Sequence, residues 1–223
     1  MMLNPKITSL SDASSHIFCP NQPPSPLHSC CIFDFSFNIP MRKIIYGINL
    51  TADGCCDHTK GIAGEDIHQY FTDLMKNVDL IVYGRITYEL MVPYWPEVAM
   101  SQQGSKTELD FAQTFDAIPK VVFSKTLTNV PADTTIIRDN LVVEVLKLKQ
   151  QRGKNISIGG VDLPSQLIAL GLVDEFYFVI HPVLAGEGRR LLIDTQLIDS
   201  YKLKLVETKS LPSGAVALHY VKA

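Results

Sequence analysis

The stretch DLIVYG at residues 79–84 is apolar at successive positions and lacks the polar alternation of a half-exposed strand. So short a run, bounded by polar residues and followed at once by a helical pattern, fits a strand covered on both faces. Strands of that kind belong to parallel sheets whose crossover helices lie above and below. The rest of the chain keeps to this scheme from Met41 onward. RKIIYGINL (42–50), KVVFS (120–124), TTIIR (134–138) and NISIG (155–159) read as further strands. Between them, EDIHQYFTDLMKN (65–77) sets Ile67, Tyr70, Phe71, Leu74 and Met75 at helical spacing. ITYELMVPYW (86–95) predicts a short helix stopped near Pro93, since proline lacks the N–H that a helix interior needs. SKTELDFAQTFDAI (105–118), LVVEVLKLKQQ (141–151) and VDLPSQLIALG (161–171) complete the helices, the last closing at Gly171. Three long alternating runs follow: DEFYFVIHPVL (174–184), YKLKLVETKSL (201–211) and AVALHYV (215–221). Leu211-Pro212-Ser213-Gly214 reads as the hairpin turn between the last two. The expectation is an α/β protein with a mixed, mainly parallel sheet and antiparallel C-terminal strands.

Residues 1–40 differ from this body. They hold six of the 13 prolines (Pro5, Pro20, Pro23, Pro24, Pro26 and Pro40), many serines and no arginine. Such a composition reads as a disordered leader. It lacks the basic start and apolar segment of a signal peptide and the arginines of a mitochondrial presequence. Met41, immediately before the first strand, is read as the working start, with an unstructured but genuine tail as the alternative. Residues 41–223 then form one domain.

A formal net charge of -3, with no Lys/Arg cluster, argues against a basic nucleic-acid surface. No apolar stretch approaches a membrane span. The five cysteines (19, 30, 31, 55 and 56) form no disulfide framework, which suits a reducing, cytoplasmic setting. Cys55, Cys56 and His58 do not have the spacing of zinc ligand pairs, so no metal is expected.

Ligands of open α/β sheets bind beyond the carboxyl ends of the strands, which directs attention to three junctions. At YGRITYEL (83–90), Gly84 ends a strand, Arg85 follows, and Thr87 falls in the first turn of a helix. That turn can hold a phosphate through N–H groups, a hydroxyl and a guanidinium, or it can be an ordinary cap. At FSKTL (123–127), Ser124 and Lys125 follow a strand directly. At ISIGGVDL, the pair Gly159-Gly160 precedes a helix at Val161, where either a tight turn or a close ligand would exclude side chains. Three anion-competent junctions on one sheet point to a nucleotide diphosphate.

The order of IIYGINLTADG (44–54), VYGRITYEL (82–90), VVFSKTL (121–127) and ISIGGVDLPSQLIALGLVDEFYFVIHPVLAGEG (156–188) resembles the dihydrofolate reductase-like superfamily. Within it, the chain is most similar to the reductase domain of the riboflavin-biosynthesis deaminase/reductase, whose P-V-L-x-G-x-G stretch stands here as Pro182 to Gly188. The resemblance covers about residues 41 to 221. It implies a three-layer α/β/α fold and an NADPH-dependent reductase acting on a pteridine, an aminopyrimidine such as the ribosylamino-pyrimidine of riboflavin synthesis, or a related small molecule. A protein of the same fold that binds NADPH or a pterin without turnover is the alternative. Gly159, Gly160 and Val161 would then face the pyrophosphate, while Gly84, Arg85 and Thr87 would hold phosphates on the adenosine half. Ser124 and Lys125 would meet the 2′-phosphate, and the turn with Leu50, Asp53 and Gly54 would meet the nicotinamide. The resemblance also implies a homodimer formed through the antiparallel strands and the P-V-L-x-G-x-G region.

Dihydrofolate reductases carry a substrate-binding carboxylate on the first helix. Here that helix offers Glu65, Asp66, His68 and Asp73, of which Glu65 and Asp66 suit the helix dipole. His68 is a candidate proton donor at neutral pH. Tyr94 and Trp95 within PYWPEV, and His181 on the strand before Pro182, are candidate substrate contacts, each balanced by a core-packing role. The deaminase partner's zinc motif is missing from the chain.

Overall fold

The computed structural model describes residues 41–62, 64–192, 197 and 200–223. The leader expected at 1–40 lies outside the described residues.

Eight strands form one sheet, interleaved with five helices. In chain order they are β1 (Ile44–Thr51), α1 (Glu65–Met75), β2 (Val78–Gly84), α2 (Arg85–Ser101), α3 (Lys106–Asp116), β3 (Lys120–Phe123), β4 (Thr134–Ile137), α4 (Leu141–Gln150), β5 (Asn155–Gly159), α5 (Asp162–Ala169), β6 (Glu175–His181), β7 (Leu203–Ser210) and β8 (Val216–Lys222). The sheet order is β4-β3-β2-β5-β1-β6-β8-β7. β1 to β6 run parallel to their neighbours, and the β8 pairings with β6 and β7 are antiparallel. The arrangement is the expected mixed, mainly parallel sheet with antiparallel C-terminal strands.

Alternate residues of the central strands feed two cores. Ile44, Tyr46 and Ile48 of β1 pack with Ile156 and Ile158 of β5 beneath Val145 of α4 and Leu163, Leu167 and Ile168 of α5. Ile45, Ile81 and Tyr83 face the other way, against Met75 of α1, Tyr88 and Val92 of α2, and Phe111 and Phe115 of α3. A strand buried on both faces needs apolar residues at both parities, which is why β2 carries no polar alternation.

One helix departs from the sequence expectation. α2 does not stop near Pro93 but runs to Ser101, with Pro93 and Pro96 inside it. Pro93 removes the hydrogen bond that would reach the Glu89 carbonyl, but both residues are exposed, so water can serve that carbonyl. Meanwhile Trp95, in contact with Phe111 at a 4.5 Å ring separation, helps hold the helix against α3 beyond the proline. Tertiary packing outweighs the local penalty.

Candidate functional site

The carboxyl ends of β1, β2, β3, β5 and β6 lie along one edge of the sheet, because these strands are parallel. Two cavities open there. The smaller, of about 420 Å³, gathers Gly84, Arg85 and Thr87 with Ser124 and Lys125. Two of the predicted junctions therefore meet in one place, and the start of α5 joins them through Asp162 and Leu163. The helices that begin at this cavity (α2 after Gly84, α4 after Asn140, α5 after Val161) all lack a side-chain cap. Uncapped helix starts present N–H groups and the positive end of the dipole, so three of them together favour an anion.

The cations of this cavity differ in how far they are already compensated. Arg85 pairs with Glu89 at 2.6 Å, and the largely exposed Lys125 lies 3.6 Å from Asp139. Arg138 donates to the Ser124 carbonyl at 3.1 Å and makes no ion pair among the described residues. Its guanidinium is the uncompensated charge of the cavity. Ser124, by contrast, is buried, and its Oγ accepts from the N–H groups of Thr126 and Leu127. Ser124 therefore shapes the turn and offers its hydroxyl less freely than the sequence suggests.

The glycine pair lines the second cavity. A Cβ on Gly159 would stand 2.5 Å from Cε1 of Tyr83. Gly160 has φ +84, and a Cβ there would overlap Thr87 Oγ1 and lie 3.0 Å from its Cβ. From below, the Tyr46 hydroxyl donates to the Gly160 carbonyl at 2.7 Å. The glycines are thus required first by the protein's own packing, which brings β5 and the α5 start against β2 and α2.

The larger cavity, of about 770 Å³, shares Ile86, Thr87 and Asp162 with the smaller one, so the two form one cleft. Gly159, Gly160 and Val161 line it, as do His68, Tyr94, Trp95 and His181. Glu65 and Asp66 do not. Glu65 is exposed, and Asp66 accepts from the Ser213 N–H at 2.7 Å and from the Ile67 N–H, tying α1 to the β7–β8 turn. The face that α1 turns to the cavity carries Ile67, His68, Phe71, Leu74 and Met75. His68 is its one titratable group, edge-on to Trp95 at 5.7 Å and beside Phe111 at 5.8 Å.

His181 lies at the cavity wall with both ring nitrogens engaged. Nδ1 accepts from the Ile62 N–H at 3.2 Å, which places the proton on Nε2, and Nε2 donates to Asn49 Oδ1 at 2.9 Å. Burial pulls its pKa below the ordinary histidine value, opposed by the charge of Asp66. The arrangement makes His181 an anchor for the segment before α1.

Leu50, Asp53 and Gly54 line neither cavity. Leu50 packs against the α4/α5 core. Asp53 accepts from the Thr51 hydroxyl at 2.5 Å and from the N–H groups of Ala185 and Gly186 at 3.0 and 2.8 Å, so its carboxyl is held well below the usual range. It joins the turn after β1 to the Pro182–Gly188 stretch. Among the described residues no group of three His, Cys, Asp or Glu side chains is placed to hold a metal. Cys56 instead places its thiol on the Arg189 carbonyl.

Sequence reasoning missed Arg138, Asn49, Phe111 and Arg189. Arg138 was within reach, since it follows a strand just as Ser124-Lys125 does. Phe111 and Arg189 enter the site through tertiary packing and carry no local signal.

The family of the RibD C-terminal domain matches residues 42–217. The uncharacterized protein YyaP of Bacillus subtilis (strain 168) is 36% identical over 187 residues, covering 82% of this chain and 96% of YyaP. Among solved structures, the diaminohydroxyphosphoribosylaminopyrimidine deaminase/5-amino-6-(5-phosphoribosylamino)uracil reductase of Thermotoga maritima superposes with a TM-score of 0.59 at 14% identity. That match covers 82% of this chain and 57% of the Thermotoga chain. Dihydrofolate reductase from Enterococcus faecalis, complexed with NADP(H) and RAB-propyl, superposes with a TM-score of 0.53 at 14% identity, covering 81% of this chain and 96% of that one.

Proposed function

Because the chain belongs to the family of the RibD C-terminal domain, we propose that it is an NADPH-dependent reductase acting on a C=N or C=O bond of a small planar substrate. A pteridine or an aminopyrimidine is the expected kind. The observation that carries this reading is the single cleft across the strand ends, cationic and rich in helix N-termini at one end, aromatic at the other. A dinucleotide needs the first end for its phosphates, and a flat heterocycle needs the second.

In this reading Arg85, Lys125 and Arg138, with the starts of α2 and α4, hold the adenosine-side phosphates, including the 2′-phosphate. Gly84, Thr87 and Ser124 shape those turns. Gly159, Gly160 and Val161 bring the α5 start to the pyrophosphate. Leu50, Asp53 and Gly54 frame the loop beside the nicotinamide. NADPH, when bound, supplies the hydride, and the protein is left to orient the reactants and provide a proton. A ring nitrogen of His68 is the proposed proton donor, since Glu65 and Asp66 face elsewhere. Tyr94 and Trp95 form the substrate wall and keep water from it, while His181 fixes the loop that closes the cavity. The proposal includes a reducing cytoplasmic setting. It also includes a homodimer, for which the exposed Leu205 and Val206 on edge strand β7 offer apolar surface.

A binding protein without turnover is the second reading, favoured by the absence of a carboxylate on the α1 face that lines the cavity. Sustained NADPH oxidation with a dihydropterin or an aminopyrimidine supports the reductase. Tight NADPH binding with no consumption supports the second reading.

A further inference from the structure

Charge is divided unevenly along the cleft. The smaller cavity holds Arg85, Lys125 and Arg138. Among the described residues lining the larger one, Arg189 is the sole guanidinium and there is no lysine. Arg189 is already paired with Asp162, at the N-terminus of α5. Another carboxylate in the lining, Asp57, accepts from the Thr59 N–H and hydroxyl. At the aromatic end of this cavity, away from the α5 start proposed for the pyrophosphate, a substrate phosphate would lose hydration without gaining a free guanidinium or ammonium group among the described residues.

What the larger cavity offers instead is a set of rings in mutual contact. Trp95 meets Phe111 at 4.5 Å and Tyr94 at 4.9 Å, both edge to face. His68 completes the group, and among the described residues its ring nitrogens have no hydrogen-bond partner. Asn49, also in the lining, uses its Oδ1 on His181, which leaves its amide N–H groups without a partner among the described residues. Flat aromatic surface with a few convergent polar groups selects a flat heterocycle with edge acceptors.

We infer that the aromatic end of the larger cavity takes an uncharged planar heterocycle that bears no phosphate, packed against the Trp95, Phe111 and His68 rings with Asn49 as a further polar contact. This inference deepens the reductase reading and rests on it for the position of the cofactor. It separates the chain's substrate from the phosphoribosyl compound in the name of the Thermotoga maritima enzyme.

The test uses a matched pair of ligands, hydroxymethylpterin and its phosphate monoester, on the full chain saturated with NADP+. Quenching of Trp95, the chain's single tryptophan, reports occupancy, and calorimetry gives the affinity. The expected result is that hydroxymethylpterin binds at least tenfold more tightly than its ester, a difference of at least about 1.4 kcal/mol. His68→Phe keeps the ring packing and removes the nitrogens, and it should weaken hydroxymethylpterin binding severalfold while the fold, followed by circular dichroism, is retained. Equal or tighter binding of the ester overturns the inference, as does failure of both ligands to bind the NADP+-loaded protein. Unchanged hydroxymethylpterin affinity in His68→Phe removes His68 from it. If NADP+ fails to bind while hydroxymethylpterin still quenches Trp95 and its ester does not, the cofactor reading falls and this inference stands.

Discussion

Gly160 and Thr87 occupy the same small space at the centre of the cleft. With φ +84 at Gly160, a Cβ would point into the Thr87 side chain, overlapping Oγ1 and approaching Cγ2 to 3.2 Å. The contact joins the start of α5 to the first turn of α2, the two helix N-termini that border both cavities.

Gly160→Ala should therefore act twice. The left-handed conformation costs an alanine about 1 kcal/mol, and the overlap adds to it. Denaturant unfolding should show a loss of about 2 kcal/mol or more, with NADPH affinity falling alongside. Adding Thr87→Ala should recover part of the stability and leave the conformational cost. A stable Gly160→Ala variant with full NADPH affinity would contradict the packing described.

Arg138 should carry much of the discrimination between NADPH and NADH, because Arg85 and Lys125 already face carboxylates while Arg138 does not. Arg138→Gln should weaken NADPH roughly tenfold, about 1.4 kcal/mol, with little change for NADH. Parallel titrations with the two dinucleotides check this. An equal loss for both would move Arg138 away from the 2′-phosphate.

The alternating elements were legible in the sequence because strand and helix periods are local properties. The order of the sheet was not. β5 lies between β1 and β2 although it begins 104 residues after β1 ends and 71 after β2 ends, and no local pattern encodes that pairing. The glycine pair was legible as a place where side chains are excluded, but the exclusion comes from Tyr83 and Thr87, which only the folded chain brings there. Asp53 shows the same limit. The resemblance implies a cofactor turn there, and its hydrogen-bond partners Ala185 and Gly186, more than a hundred residues away, leave no local trace. His68 was visible as a helix histidine, and its turn into the cavity depended on where α1 packs.

His181 should give the protein an acid-sensitive loop. Its folded pKa is depressed by burial, so as pH falls through its ordinary value of 6.5 the unfolded chain takes up the proton first. Stability contributed here falls from that point until the folded-state imidazole also protonates, and protonation at Nδ1 breaks the bond from the Ile62 N–H. Urea unfolding at steps of pH should show a shallower slope across this window in His181→Gln than in the unaltered protein. Matching slopes would mean that His181 titrates without cost.

Asp53 should matter at lower pH. The Thr51 hydroxyl and the N–H groups of Ala185 and Gly186 depress its pKa below the ordinary 3.8, so its contribution is present above that value and is lost as pH falls through the folded-state pKa. Asp53→Ala should speed amide exchange at Ala185 and Gly186 near neutral pH, without waiting for acid. Unchanged protection at both amides would show that the Pro182–Gly188 stretch is held by other contacts.

The central claim is that the cleft is a cradle for NADPH, and calorimetric titration of the full chain with NADPH and then NADH tests it most directly. The account predicts saturable one-site binding, with NADPH at least tenfold tighter than NADH, or about 1.4 kcal/mol. Failure of both dinucleotides to bind would contradict it, and the uncapped helix starts of α2, α4 and α5 would then be ordinary turns at the edge of a sheet.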